Sequence, residues 1–121
     1  MPIKTSRPVR IPVLGRKLIE EYVGRASTQT SSLSVAHMIA PPGWSEPFQS
    51  PAFDEATIVI RGAMRVEHDD GFMDVATGEV ILVESGERVR YSNPFEEECE
   101  YYAVCTPAFS APMANREDEA Q

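Results

Sequence analysis

Short apolar runs alternate with turn residues along the chain. The runs are rich in Val, Ile, Tyr and Thr, and Pro or Gly interrupts them about every ten residues, the spacing of an all-β sandwich or barrel. The first clear strand runs from Leu33 to Ala40 and stops at Pro41-Pro42-Gly43, which cannot continue a ladder. Glu55 to Ile60 is a β-branched strand ending near Gly62. Met64 to His68 and Phe72 to Val75 flank Asp69-Asp70-Gly71, and an Asp-Gly pair between such strands predicts a hairpin. Thr77-Gly78 turns into a strand from Glu79 to Val83, and Ser85-Gly86-Glu87 turns into another from Arg88 to Ser92. Asn93-Pro94 breaks the chain before a last core strand, Glu100 to Thr106. No stretch carries a sustained helical stripe. Leu14 to Tyr22 comes nearest, and it reads equally well as a strand.

The intervals between these elements carry information too. Trp44 to Asp54 is a long loop holding Pro47 and Pro51, and a loop of that length points to function. From Pro107 onward the chain is rich in proline and small residues and reaches Arg116-Glu117-Asp118-Glu119, a composition expected of a mobile tail. The expected organisation is one domain: residues 1–30 an N-terminal arm and edge strands, 31–107 the barrel, and 108–121 the tail.

Charge narrows the partners. Nineteen acidic residues against eleven basic ones give a formal net charge of −8. Such a chain repels phosphate backbones, which argues against nucleic acid as a partner, and it argues against docking on anionic membranes. No apolar run approaches the roughly 20 residues of a membrane span. Met1 to Lys17 lacks the apolar region of a signal peptide, so a cytoplasmic location is expected. Cys99 and Cys105 lie six steps apart on one predicted strand, about 20 Å by strand geometry and beyond disulfide reach. They read as small core hydrophobes.

Two spacings then become specific. Gly43, Gln49, Pro51, Glu55 and Gly62 have five, one, three and six residues between them in turn. Gly78, Glu84, Gly86, Val89 and Asn93 have five, one, two and three residues between them in turn. These frames resemble the two motifs of the cupin family, in which a Gly, two His, a Glu and a Gly precede a second set of Gly, Pro, Gly, His and Asn. The glycines, Glu55 and Asn93 match. The three histidines and the proline do not. The ending Tyr102-Ala103-Val104-Cys105-Thr106-Pro107 also resembles the last strand of small cupins of the ethanolamine-utilisation and ectoine-synthase types. The resemblance implies an all-β fold, a single cupin jelly-roll β-barrel, and a homodimer formed through sheet edges or faces.

It also implies a site. Cupins hold a transition ion with three His and one Glu, and the equivalent positions here are Gln49, Pro51, Val89 and Glu55. Pro and Val donate no lone pair, so no metal and no other cofactor is expected, although a remodelled set from His37, Glu46 and Glu55 stays open. With Glu55 pointing into the barrel, strand alternation sends Thr57 and Val59 inward with it. Val89, Tyr91 and Asn93 share the inward face of the second motif by the same resemblance. A carboxylate in an apolar cavity has a raised pKa and suits general acid–base catalysis, which makes Glu55 the candidate catalytic group. Trp44, Glu46 and Gln49 on the long loop, with His37, Thr57, Val89, Tyr91, Tyr101 and Cys105, are the candidate ligand-binding residues. The expected function is binding of a small molecule, with isomerisation, epimerisation, elimination or cyclisation as reaction classes. A non-catalytic ligand-binding or accessory subunit, and a metal-dependent cupin with rearranged ligands, are the alternatives.

Overall fold

The computed structural model describes residues 1–13 and 15–117. Nine strands and one short helix follow one another: β1 Val9–Arg10, β2 Leu18–Val23, β3 Ser34–Ala40, β4 Asp54–Arg61, β5 Ala63–His68, β6 Gly71–Ala76, β7 Val80–Val83, β8 Arg90–Ser92, β9 Cys99–Thr106 and α1 Ala111–Ala114. One sheet has the order β1-β2-β3-β9-β4-β7 and the other β6-β5-β8. All paired strands run antiparallel. Of the segment read as helix or strand, residues 15–17 form a turn and its end, and the strand β2 begins at Leu18; Leu14 lies outside the described residues.

Alternation along each strand decides what the barrel encloses. Tyr101, Ala103 and Cys105 of β9 point inward with Cys99 and are buried, whereas Glu100, Tyr102 and Val104 are half-buried on the outer face. Thr57 and Val59 of β4 are inward and fully buried, and Ile60 is exposed. Val59 and Tyr101 of the larger sheet meet Met64, Val66 and Tyr91 of the smaller one in a single apolar core, so the two sheets pack face to face. Inner faces interdigitating in this way hold a sandwich-like barrel together. Asn93, fully buried, donates from Nδ2 to the carbonyls of Ala40 and Glu97 and accepts from the Phe95 N–H, which ties three chain segments at the barrel end.

Two segments differ from expectation. The Trp44–Asp54 loop runs beside β8 in ladder-like fashion: Gln49 and Val89 exchange two 2.9 Å backbone bonds, and the Asn93 N–H donates to the Trp44 carbonyl. The tail expected to be mobile is docked as far as Glu117; residues 118–121 lie outside the described residues. Phe109, Met113 and the fully buried Ala114 pack on Phe53 and Cys105, and Ala52 and Ser50 donate to the Met113 and Asn115 carbonyls. The physical reason is apolar surface: Phe53 would face water at the open barrel end without this cover, and its burial is favourable.

The arginines on the strands make ion pairs on the exterior face. Arg65 meets Asp74, Arg90 meets Glu67, and Arg61 meets Glu98 and Glu100. Arg88 instead reaches Glu117 and Asp69. Such exposed pairs contribute little stability each.

Candidate functional site

A cavity of about 140 Å³ lies inside the barrel, enough for on the order of ten water-sized groups. Its floor and walls come from β3, β9 and β4, through Ala36 and Met38, Ala103 and Cys105, and Glu55. Tyr91 of β8 and Glu46 and Gln49 of the long loop close one side. The chain's two ends close the other. Ile11, Pro12 and Val13 of the N-terminal arm line it, as do Phe109 and Arg116 of the tail. At β2 the same alternation that turns Glu20 outward turns Lys17, Ile19 and Glu21 inward. Glu21 is occupied there, since its carboxylate accepts from the N–H groups of Ala26 and Ser27 and from the Ser27 hydroxyl.

Besides Glu21, the charged side chains of Lys17, Glu46, Glu55 and Arg116 therefore share one small space. Burial pushes the Glu55 carboxyl up from its ordinary value of 4.5 to about 7, and the Glu46 charge pushes the same way. Lys17 opposes the rise, and Tyr91 and Arg116 oppose it more weakly. The Tyr91 hydroxyl stands near enough to Glu55 to act on it, yet it forms no hydrogen bond among the described residues. Some of the Glu55 surface is open, but it opens into the cavity, so the carboxyl is enclosed by protein even though it is not sealed. The Lys17 amine is pulled below its ordinary value of 10.5, because burial costs the ammonium more than Glu46 and Glu55 return. Arg116 donates from Nε to the Gln49 side-chain oxygen at 3.2 Å and stands 3.8 Å from Glu46. Burial raises the Tyr91, Tyr101 and Cys105 groups well above their usual ranges, so all three stay protonated near neutrality.

The structure brings most of the candidate residues together. Glu55, Glu46, Gln49, Tyr91, Tyr101 and Cys105 line the cavity. Trp44 stands at its mouth, on the wall of an outer groove, with the Lys17 Nζ 4.0 Å from its ring centroid. Thr57 and Val89 are buried in the packed core and do not line the space. His37 must be corrected. It projects from the outer face of β3, between Glu20 at 3.2 Å and Glu100 at 2.6 Å, with its ring 5.2 Å from that of Tyr102. The reason is parity: Ala36 and Met38 take the inward positions on that strand, so the residue between them faces out. His68, at the end of β5, only accepts from the Asp70 N–H.

Lys17 and Arg116 went unnoticed in the sequence. Neither belongs to the two spaced motifs, and each lies in a segment that read as peripheral. The one available signal was chemical, since a carboxylate held inside a barrel calls for a nearby cation.

Residues 36–105 match the family model described as a cupin domain. The chain belongs to the cupin family. This cupin is 48% identical over 107 residues to a Myxococcus xanthus protein named endoribonuclease YbeY, covering 88% of the chain but 36% of that protein. The chain thus spans about a third of the length of the curated relative it matches. In fold it is similar to the Clostridium difficile EutQ protein, with a TM-score of 0.65 and 18% identity over 76% of this chain and 63% of that one. An oxalate decarboxylase variant from Bacillus subtilis superposes with a TM-score of 0.77 and 21% identity over 94% of this cupin and 31% of that chain. Identities this low speak to the fold alone.

The metal usual in the family does not fit the residues present. Of the four family positions, Pro51 and Val89 are buried without donor atoms, and the Gln49 oxygen already accepts from Arg116. Glu55 is left as the one carboxylate ligand, facing an ammonium and a guanidinium. His37, the one histidine that a remodelled set would recruit, is on the outer face. Among the described residues no three His, Cys, Asp or Glu side chains cluster as a metal would require.

Proposed function

We propose that this cupin binds a small polar metabolite inside the barrel and moves a proton on it with Glu55, without a metal. The observation that carries the reading is the Glu55 carboxyl, enclosed by the cavity and titrating near 7. A group poised at that value is part acid and part base at neutral pH, which is where proton transfer is most effective. Arg116 and Lys17 would hold the electron-rich end of the ligand. Met38, Phe53 and Phe109 would take its apolar part. Gln49 stays fixed by Arg116 and offers its amide N–H groups toward the ligand. The reaction classes that need only such groups are isomerisation, epimerisation, elimination and cyclisation.

A thermal-shift screen against sugars, keto acids and amino-acid derivatives finds the ligand. Exchange of its carbon-bound protons in D2O, followed by NMR, then reads proton transfer. Glu55→Gln should slow that exchange by about 10²–10⁴-fold and leave affinity within a few-fold. Exchange that survives the substitution would remove Glu55 from the chemistry.

One observation favours a second reading, a ligand-sensing module. A segment 48% identical to this chain forms 36% of a longer protein named endoribonuclease, so the same kind of barrel occurs within a larger protein. A screened ligand that raises the melting temperature but undergoes no exchange would favour sensing over turnover.

A further inference from the structure

The geometry points to Lys17 as a nucleophile that condenses reversibly with a small aldehyde or ketone inside the barrel, holding it as an iminium. This inference rests on the proposed ligand cavity and deepens it by naming the chemical class of the ligand.

Three observations carry it. First, Lys17 is the last residue before β2 and lines both the outer groove and the inner cavity, where the two adjoin. Second, the nitrogen lies against two ring faces, 4.0 Å from the Trp44 centroid and 5.4 Å from that of Tyr101, with the Glu46 and Glu55 charges near enough to act on it. An aromatic face compensates an ammonium for lost water only partly, so the neutral, nucleophilic amine becomes accessible, in the way a desolvated lysine is activated. The Lys17 amine is accordingly displaced below its ordinary value of 10.5. Third, Glu55 shares the cavity and is partly protonated at neutral pH, which supplies the acid the condensation needs.

The step balances. The amine lone pair of Lys17 forms a C–N bond to the ligand carbonyl carbon, and the carbonyl π pair moves to oxygen. The nitrogen's proton passes to that oxygen, giving a neutral carbinolamine. Nitrogen then pushes out the hydroxyl, which takes the Glu55 proton and leaves as water. The products are an iminium cation and the Glu55 carboxylate, paired inside the barrel, and water addition reverses the sequence. Cys105 also lines the cavity, but burial holds its thiol protonated and a thiol adduct would not be fixed by hydride.

The chain has two lysines, Lys4 and Lys17, and Lys4 is exposed. The wild-type protein therefore carries its own control. It is equilibrated at pH 7 with acetaldehyde or pyruvate, treated with sodium borohydride, and digested for peptide mass spectrometry. Lactate, which lacks the carbonyl, is scored by thermal shift beside the two carbonyl probes. Lys17 should be labelled several-fold more than Lys4. Lys17→Arg should erase the label while a melting transition persists. Labelling of Lys4 equal to or above that of Lys17, with a thermal shift from the probes, would overturn the inference and leave the Glu55 reading standing. No label with either carbonyl and no shift with any probe would overturn both.

Discussion

Replacing Glu55 by Gln should stabilise the protein above neutral pH and leave it nearly unchanged in acid. The carboxyl titrates at about 7 in the folded barrel against an ordinary 4.5, chiefly because burial penalises its charged form and secondarily because of Glu46. Between those two values the native state binds more protons than the unfolded state, so stability falls as pH rises through the window. The contribution of the protonated group is whole below 4.5 and lost above 7. A gap of about 2.5 units at about 1.4 kcal/mol each gives about 3.5 kcal/mol, and water at the cavity mouth trims it toward about 2–3. Gln keeps the shape and cannot ionise. Its advantage over Glu should therefore grow from near zero at pH 4 to about 2–3 kcal/mol at pH 8, roughly 5–15 °C in melting temperature for a domain of this size. Differential scanning calorimetry of both proteins from pH 4 to 9 is the assay. A difference that is flat with pH, or a variant less stable at pH 8, would refute the argument that the cavity desolvates this carboxyl.

Two further outcomes follow from packing. Thr57 is fully buried and its hydroxyl has no partner, so Thr57→Val should be neutral or stabilising by up to about 1 kcal/mol in urea unfolding; a loss above that would mean the hydroxyl is satisfied. Gly62 joins β4 to β5 at a φ of 77°, and a Cβ there would collide with the Glu98 carbonyl. Gly62→Ala should cost at least about 2 kcal/mol, and an unchanged unfolding midpoint would contradict the turn as described.

Much of the barrel was legible because turns are local. Asp70-Gly71 and the glycines at 62, 78 and 86 have their own backbone preferences, and the strands from β3 to β9 were then bounded within a residue or two, whereas β1 was not read and β2 was read as helix or strand from four residues too early. Faces were legible wherever one reference residue fixed the parity, as Glu55 did for Thr57 and Val59. They failed at His37, since Val35-Ala36-His37-Met38-Ile39 is apolar on both sides of the strand and offers no alternation to read. The site's cations were hidden for a different reason. Lys17 and Arg116 reach the cavity through contacts between segments about a hundred residues apart in sequence, and no local pattern encodes that meeting. The tail misled in the same way: its small residues and prolines look unstructured until Phe53 gives Phe109 and Met113 a surface to cover.

The segment matched to the family, 36–105, carries Glu46, Glu55 and both inward tyrosines, while the positive side chains facing them come from the two flanks. Chemical preference in this barrel is thus divisible. Exchanging only the flanks between two proteins with the same central scaffold would invert the charge their interiors welcome, with no change to a single sheet residue between β3 and β9.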